Sequence, residues 1–133
     1  MTYLNKILFE GYTAEELLGF PEEQFDAFVF CGEPVVFNIG TAQILGQFSI
    51  KGSHLIVELA QIDGGGEGVL PAIGALANNI AKSRNLEIIE WLVHAVTCAK
   101  PNLKLRRMLE KRGFQIKQIN NIGEVYYQTT DIQ

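Results

Sequence analysis

The sequence predicts an α/β (α+β) fold: a mixed, mostly antiparallel twisted sheet with helices on both faces. Three observations predict it. Residues 27–62 carry β-prone runs separated by short glycine-bearing turns, the pattern of an antiparallel meander of three or four strands. At Ile62-Asp63-Gly64-Gly65-Gly66-Glu67-Gly68-Val69 that pattern ends in a glycine-rich turn, and the apolar spacing becomes helical. A further apolar run follows the helical one, so strand, helix and strand form a βαβ unit whose two strands run parallel.

Taken in order, Tyr3 to Phe9 alternates weakly and suits a short strand or a helix start. Thr13 with Glu16 three positions on has the spacing of a capping box and predicts a helix over Ala14 to Leu18, ended by Gly19 and Pro21. Pro21 to Phe25 suits one more helical turn. Ala27 to Cys31 and Val35 to Ile39 read as strands around a Gly32-Glu33-Pro34 turn. Ala42 to Ile50 and His54 to Ile62 follow, joined by Lys51-Gly52-Ser53. Val69, Ile73, Leu76, Ala77, Ile80 and Ala81 form the apolar stripe of a helix that stops near Asn85. Leu86 to Val96 is apolar on nearly both sides, as a covered central strand is. A helix from Pro101 to Gly113 buries Leu105, Met108 and Leu109 and turns a basic stripe of Lys100, Lys104, Arg107 and Lys111 outward. Phe114 to Ile119 and Val125 to Thr130 close the chain as a hairpin through Asn120-Asn121-Ile122-Gly123.

Composition narrows the function classes. The 133 residues are 47% hydrophobic and 20% charged, which places the chain among globular proteins and not disordered ones. No apolar run reaches the roughly 18–20 residues of a membrane span, and the first residues lack a signal-peptide pattern, so the expected location is cytoplasmic, with no membrane partner. Cys31 and Cys98 form no metal-spaced pair and are expected as two buried free thiols. The first 67 residues hold ten acidic side chains against Lys6 and Lys51, whereas the remainder hold nine basic against five acidic. Such a split suits an anionic ligand near the second half, or a self-complementary homodimer. The acidic half and a sequence pI of about 5.1 argue against nucleic acid.

The glycine-rich turn between a strand and a helix is the place for an anion, because unpaired N–H groups at a helix start point outward and glycine lets a ligand approach them. Its plainer reading is a turn and nothing more.

From that loop onward the chain resembles the GNAT N-acetyltransferase superfamily. Members have a central strand, a glycine-rich pyrophosphate loop, a helix, a second strand splayed from the first, and another helix carrying Asn-x-x-Ala-x-x-x-Tyr-x-x-x-Gly-Phe. Asn102, Leu105, Leu109, Gly113 and Phe114 fall at those offsets, with leucine at the alanine and tyrosine positions. The loop's usual Arg/Gln position falls on Asp63 or Gly65, depending on register. Val57-Glu58-Leu59-Ala60 resembles the family's Glu-Leu-Ala-Val stretch. The resemblance spans about residues 50–130. It implies one GNAT-like domain over 1–133, with a central splayed parallel strand pair, variable acceptor-side elements in 1–45 and an acyl-CoA-binding core in 46–133.

The same resemblance implies acetyl-CoA or another acyl-CoA as a substrate, a small-molecule or protein amine as its partner, and no metal. Leu59 and Ala60, the loop residues Gly64, Gly65, Gly66, Gly68 and Val69, and Asn102 would bind the acyl-CoA. Glu58 would be the general base; alternatively it is a strand glutamate paired with a neighbour. His94 shares a strand face with Glu90, roughly 13 Å away and out of bonding reach, and is either a second catalytic group or a hydrogen-bonded core histidine. Since Leu109 cannot donate a proton, Tyr126 or its neighbour Tyr127 would protonate the thiolate. Asn102 would contact the pantetheine arm or cap its helix. Phe20, Phe25, Phe28, Phe30 and Phe37 would form core or an apolar acceptor pocket. The implied function is acyl-CoA-dependent N-acetyl transfer to an amine; the alternative is a catalytically degenerate GNAT-like binding, regulatory or interaction protein.

Overall fold

In a computed structural model, described over residues 7–64, 68–96 and 102–132, the order is β1 (Ile7–Phe9), β2 (Tyr12–Thr13), α1 (Ala14–Leu18), α2 (Glu22–Val29), β3 (Val35–Ile39), β4 (Ala42–Lys51), β5 (His54–Asp63), α3 (Val69–Ser83), β6 (Ile88–Val93), α4 (Leu103–Lys111), β7 (Gln115–Ile119) and β8 (Gly123–Asp131). The strands form one eight-stranded sheet in the order β2-β1-β3-β4-β5-β6-β8-β7. Every pairing is antiparallel except β5 with β6, which is parallel across α3. The predicted mixed, mostly antiparallel sheet and its βαβ unit are therefore present.

Local chemistry explains the element boundaries. The Thr13 hydroxyl accepts from the Glu16 N–H at 3.1 Å and the Glu16 carboxylate accepts from the Thr13 N–H at 3.0 Å, the reciprocal capping box that starts α1. Residues 27–29, predicted as strand, instead complete α2. The acidic Glu22 and Glu23 sit at the favourable end of its dipole, and burial of Phe25 and Val29 outweighs the β-propensity of the local run. Cys31 is exposed just beyond, its thiol against the Glu33 carbonyl at 3.4 Å, which corrects the expectation of a buried thiol. Cys98 and Pro101 lie outside the described residues.

The core is one continuous cluster. Ala14 and Leu17 of α1, Phe25 and Val29 of α2, the apolar stripe of α3, and Leu105 and Leu109 of α4 all belong to it. They meet Phe37, Phe48, Val57 and Tyr126, which share one face of the sheet through the pairings Phe48 with Val57, Val57 with Trp91, and Val93 with Tyr126. The four helices thus lie on one face. This differs from the expectation of helices on both, and the reason is visible in β5, whose residues alternate between fully buried Leu55, Val57, Leu59 and half-buried His54, Ile56, Glu58. The second set faces away from the helices. We call that side the open face.

The phenylalanines pack as core. Phe9 stacks on Phe37 at 5.7 Å and meets Phe28 at 5.6 Å and Phe48 at 6.0 Å. Phe25 and Phe30 lie under the Arg84 guanidinium, at 5.4 and 5.8 Å. Arg84 also bonds Glu22 at 2.9 Å and pairs with Asp26, so the end of α3 is tied to α2 by charge and by cation–π contact together. No helix among the described residues is long and apolar enough to cross a membrane.

Candidate active site

The parallel pair β5–β6 holds the site. Its register runs from His54 opposite Ile88 to Leu59 opposite Val93. Among the described residues, the last bond between the two segments is the His94 N–H to the Leu59 carbonyl, 2.9 Å. β5 then continues to Asp63 paired with β4 alone. The two strands part at this point, and β5 bends there: Gly46 opposes Leu59 while Leu45 opposes Gln61, leaving Ala60 as the extra residue of a bulge. Glycine suits the bend at position 46, because a Cβ there would meet Leu59 Cδ2 at 3.1 Å and the Glu58 carbonyl oxygen and Phe37 Cε1 at 3.3 Å, and these neighbours would have to shift.

At the parting, on the open face, His94 Nε2 lies 2.7 Å from Glu58 Oε2. A carboxylate only accepts, so the imidazole donates through Nε2. Both side chains are about one-third exposed, held but reachable.

A second pair lies further down the same strands. His54 Nδ1 is 2.6 Å from Glu90 Oε2, and the Tyr127 hydroxyl donates to Glu90 Oε1 at 2.8 Å. Burial pushes the Glu90 carboxyl up, but the hydrogen bonds from His54 and Tyr127 and the charges of His54 and Lys51 outweigh it, leaving it below its ordinary value. Burial, then the bond to and charge of Glu90, push the Tyr127 phenol up to about 12. The folded chain therefore holds the Tyr127 proton more tightly than the unfolded chain, whose tyrosines ionise near pH ~10. The stabilisation is full below that value and is lost as pH rises through about 12. Tyr127→Phe should remove this part of the alkaline loss, read as a flatter dependence of the urea midpoint on pH between those limits.

Sequence reasoning separated Glu90 from His94 correctly but missed His54. The signal was there: His54 and Glu58 are four apart on β5, and Glu90 of β6 and His94 just past its end are four apart with the roles reversed. In this register each histidine meets the carboxylate of the other strand with the same offset, so one parallel pairing makes both bonds.

The other expected residues are placed as follows. Tyr126 is fully buried on the helix face, where its hydroxyl donates to Glu110 at 2.7 Å and accepts from Arg106 Nε at 3.2 Å. The placement of Tyr126 with Glu58 and His94 is therefore corrected: it pairs with Val93, whose side chain points away from Glu58. Its neighbour Tyr127 is on the open face, bonded to Glu90. Leu109 is fully buried. Asn102 caps α4, its Oδ1 accepting from the Leu105 N–H at 3.0 Å. Leu59 is buried and Ala60 exposed. Gly64 has φ +76°, and a Cβ there would stand 3.1 Å from the Thr41 carbonyl oxygen. Gly68 caps α3 and Val69 is its buried first residue. Gly65 and Gly66 lie outside the described residues.

Ile62, Gly64, Val69, Asn102, Lys104, Leu105 and Met108 enclose a cleft of about 160 Å³ between the end of β5, the start of α3 and the start of α4. Asp63, the acidic residue beside it, accepts a 2.6 Å bond from the Gln61 amide. Among the described residues, no three His, Cys, Asp or Glu side chains are grouped to hold a metal ion.

No family model and no curated protein matches the chain. Among solved structures it is similar to Ard1 from Thermoplasma volcanium, at 10% identity over 79% of this chain and 74% of that one, with a TM-score of 0.40. It is also similar to a GNAT-family acetyltransferase from Listeria monocytogenes 4b F2365, at 15% identity over 88% and 76%, with a TM-score of 0.42. Identities and TM-scores this low assign no activity.

Proposed function

We propose that the chain is an acyl-CoA-dependent N-acyltransferase that acylates an amine presented to the open face of the sheet. The observation that carries this reading is the Glu58–His94 pair at the point where β5 and β6 part. There a carboxylate about one-third exposed lies beside the exposed residues Ala60 and Gln61.

The residues present fit an acyl-CoA. The start of α3 after Gly68 offers unpaired N–H groups for the pyrophosphate. In the cleft, Ile62, Val69, Leu105 and Met108 suit the methylene and methyl groups of a pantetheine arm, Asn102 lies beside them, and Lys104 adds a positive charge at the rim. Asp63, bonded to Gln61, has its charge partly satisfied away from an anion. The CoA thioester supplies the electrophilic carbon and the leaving thiolate.

The chain's own groups do the rest. Glu58 accepts a proton from the acceptor ammonium, directly or through water, and frees the amine for attack. The His94 imidazole fixes the orientation of that carboxylate through the Nε2–H bond. Positioning of amine and carboxylate on one rigid strand pair lowers the barrier without further unusual side chains. Residues 1–45 contribute to the acceptor side through β1 and β3, since Leu8 and Asn38 oppose each other on the open face, whereas α1 and α2 pack on the other. The core of 46–133 carries the acyl-CoA.

A second reading, a GNAT-like binding protein without catalysis, is favoured by Leu109, which fills the core where the resemblance places a tyrosine acid.

Thermal-shift and calorimetric titration with acetyl-CoA and longer acyl-CoAs tests the proposal. Saturable stabilisation is expected, about 2.7 kcal/mol at a hundredfold excess over Kd. No stabilisation by any acyl-CoA would refute it. Binding with no thioester cleavage in the presence of amines would select the second reading.

A further inference from the structure

The helices cross the sheet in a fixed order. α1 and α2 pack at the β1–β2 end, where Phe28 meets Phe9 and Tyr12. α3 covers β5 and β6. α4 lies by β8, where Arg106 and Glu110 bond the Tyr126 hydroxyl. The charge of their outward sides changes in the same order.

Residues 10–33 hold seven acidic side chains and no lysine or arginine. Glu15 and Glu16 of α1 and Glu22 and Glu23 of α2 are exposed. Arg84, the basic group beside them, is taken up by Glu22 and Asp26, and its side chain is only 14% exposed. α4 is the reverse: Lys104, Arg107 and Lys111 are exposed at three- and four-residue spacing, away from the buried Leu105 and Leu109. Glu110, exposed on the same helix, accepts the Tyr126 hydroxyl. Between the two ends, α3 carries no charged residue from Val69 to Ala81. Pro71, Ala75 and Asn78, away from its buried stripe, are only partly covered, and Lys82 in the last turn is its first charge.

A centre depleted of charge with a charged rim is the pattern of a protein–protein interface. Here the two flanks have opposite sign, so the surface is complementary to itself. A two-fold axis along α3 sets α3 on its own copy and brings each acidic end over the partner's basic end, so both contacts form at once. Each end also offers an apolar side chain: Tyr12, 42% exposed, beside α2, and Leu103, 59% exposed, at the start of α4.

We propose that the helix face is the docking surface for a second copy of this chain, in a symmetric dimer with α3 at its centre and α1–α2 of each protomer against α4 of the other. The open face with Glu58 and His94 lies on the other side of the sheet, so the dimer stands or falls independently of acyl transfer.

Sedimentation equilibrium of the full chain should give twice its 14.8 kDa mass. The dimer should weaken about tenfold between about 0.1 M and about 1 M salt, as screening shortens from about 10 Å to about 3 Å. Two double variants test the arrangement. Glu15→Lys with Glu23→Lys reverses the acidic end and leaves the Thr13–Glu16 cap and the Arg84 pairs in place. Arg107→Glu with Lys111→Glu reverses the basic end. Each alone should be monomeric, because the reversed residues then face like charge in both contacts. An equimolar mixture should dimerise, because in the mixed pair they face opposite charge again. Ala75→Glu, which puts a charge at the centre, should also give a monomer. Circular dichroism verifies that every variant is folded. The proposal is overturned if the wild type is a monomer, if either double variant or Ala75→Glu still dimerises like the wild type, or if the mixture stays monomeric.

Discussion

Glu58→Gln is expected to lower kcat/KM for acetyl transfer by about 10²- to 10⁴-fold, the usual contribution of a positioned general base. The glutamine keeps the shape of the side chain and can still accept the bond from His94 Nε2, so the fold and the acyl-CoA affinity should hold while the proton acceptor is lost. The rate of the variant should recover in part as pH rises and more of the acceptor amine is already neutral. Glu90→Gln is the matched control: it has the same chemistry on the same face, but it lies below the parting, bonded to His54 and Tyr127. Steady-state kinetics of both variants with one acceptor decides it. Equal losses in the two would mean that the open face needs its charge as a whole, and Glu58 would lose its special role.

The largest effect on stability is expected from Phe37→Ala, at about 3–5 kcal/mol. Phe37 is fully buried, stacked on Phe9 at 5.7 Å and beside Phe48 at 6.1 Å. It also abuts Gly46 at the bend of the sheet. The cavity left by alanine would be walled by the Phe9 and Phe48 rings of the two neighbouring strands, which cannot close in without moving the bulge. Chemical denaturation should show the midpoint falling with an unchanged slope, and a melting temperature lower by roughly 10 °C. A loss below about 1 kcal/mol would mean that the aromatic cluster repacks freely and that the bend is not held by it.

Much of the fold was legible because local and tertiary signals agreed. Thr13 with Glu16, the turn at Lys51-Gly52-Ser53 and the stripe from Val69 to Ala81 each had one reading, and each element formed. Residues 27–29 misled because Phe28 and Val29 are β-prone in isolation, while the partners that hold them in a helix, Phe9 among them, are distant in sequence. The layering failed for a similar reason. Leu86 to Val96 is apolar at nearly every position, which suggests cover on both sides, yet Glu90 and His94 mark the open face and only the register with β5 shows what they meet. That register also decided the site. Glu58 and His94 were each visible as candidates; that they touch, and that His54 and Glu90 form a second pair, follows from the alignment of two parallel strands, which no local pattern carries. Tyr126 and Tyr127 show the limit most sharply: adjacent residues on one strand point to opposite faces, and choosing between them requires knowing which face the helices cover.

The central claim is that acyl-CoA binds where β5 and β6 part, with its reactive end at Glu58. Amide NMR of the chain titrated with acetyl-CoA tests this most directly. Saturable shifts are expected at Glu58 to Gly64, at Gly68 and Val69 at the start of α3, and at Asn102 to Leu105 at the start of α4, with β2 and β7 unmoved. Shifts absent from these segments, or confined to another part of the sheet, would contradict it.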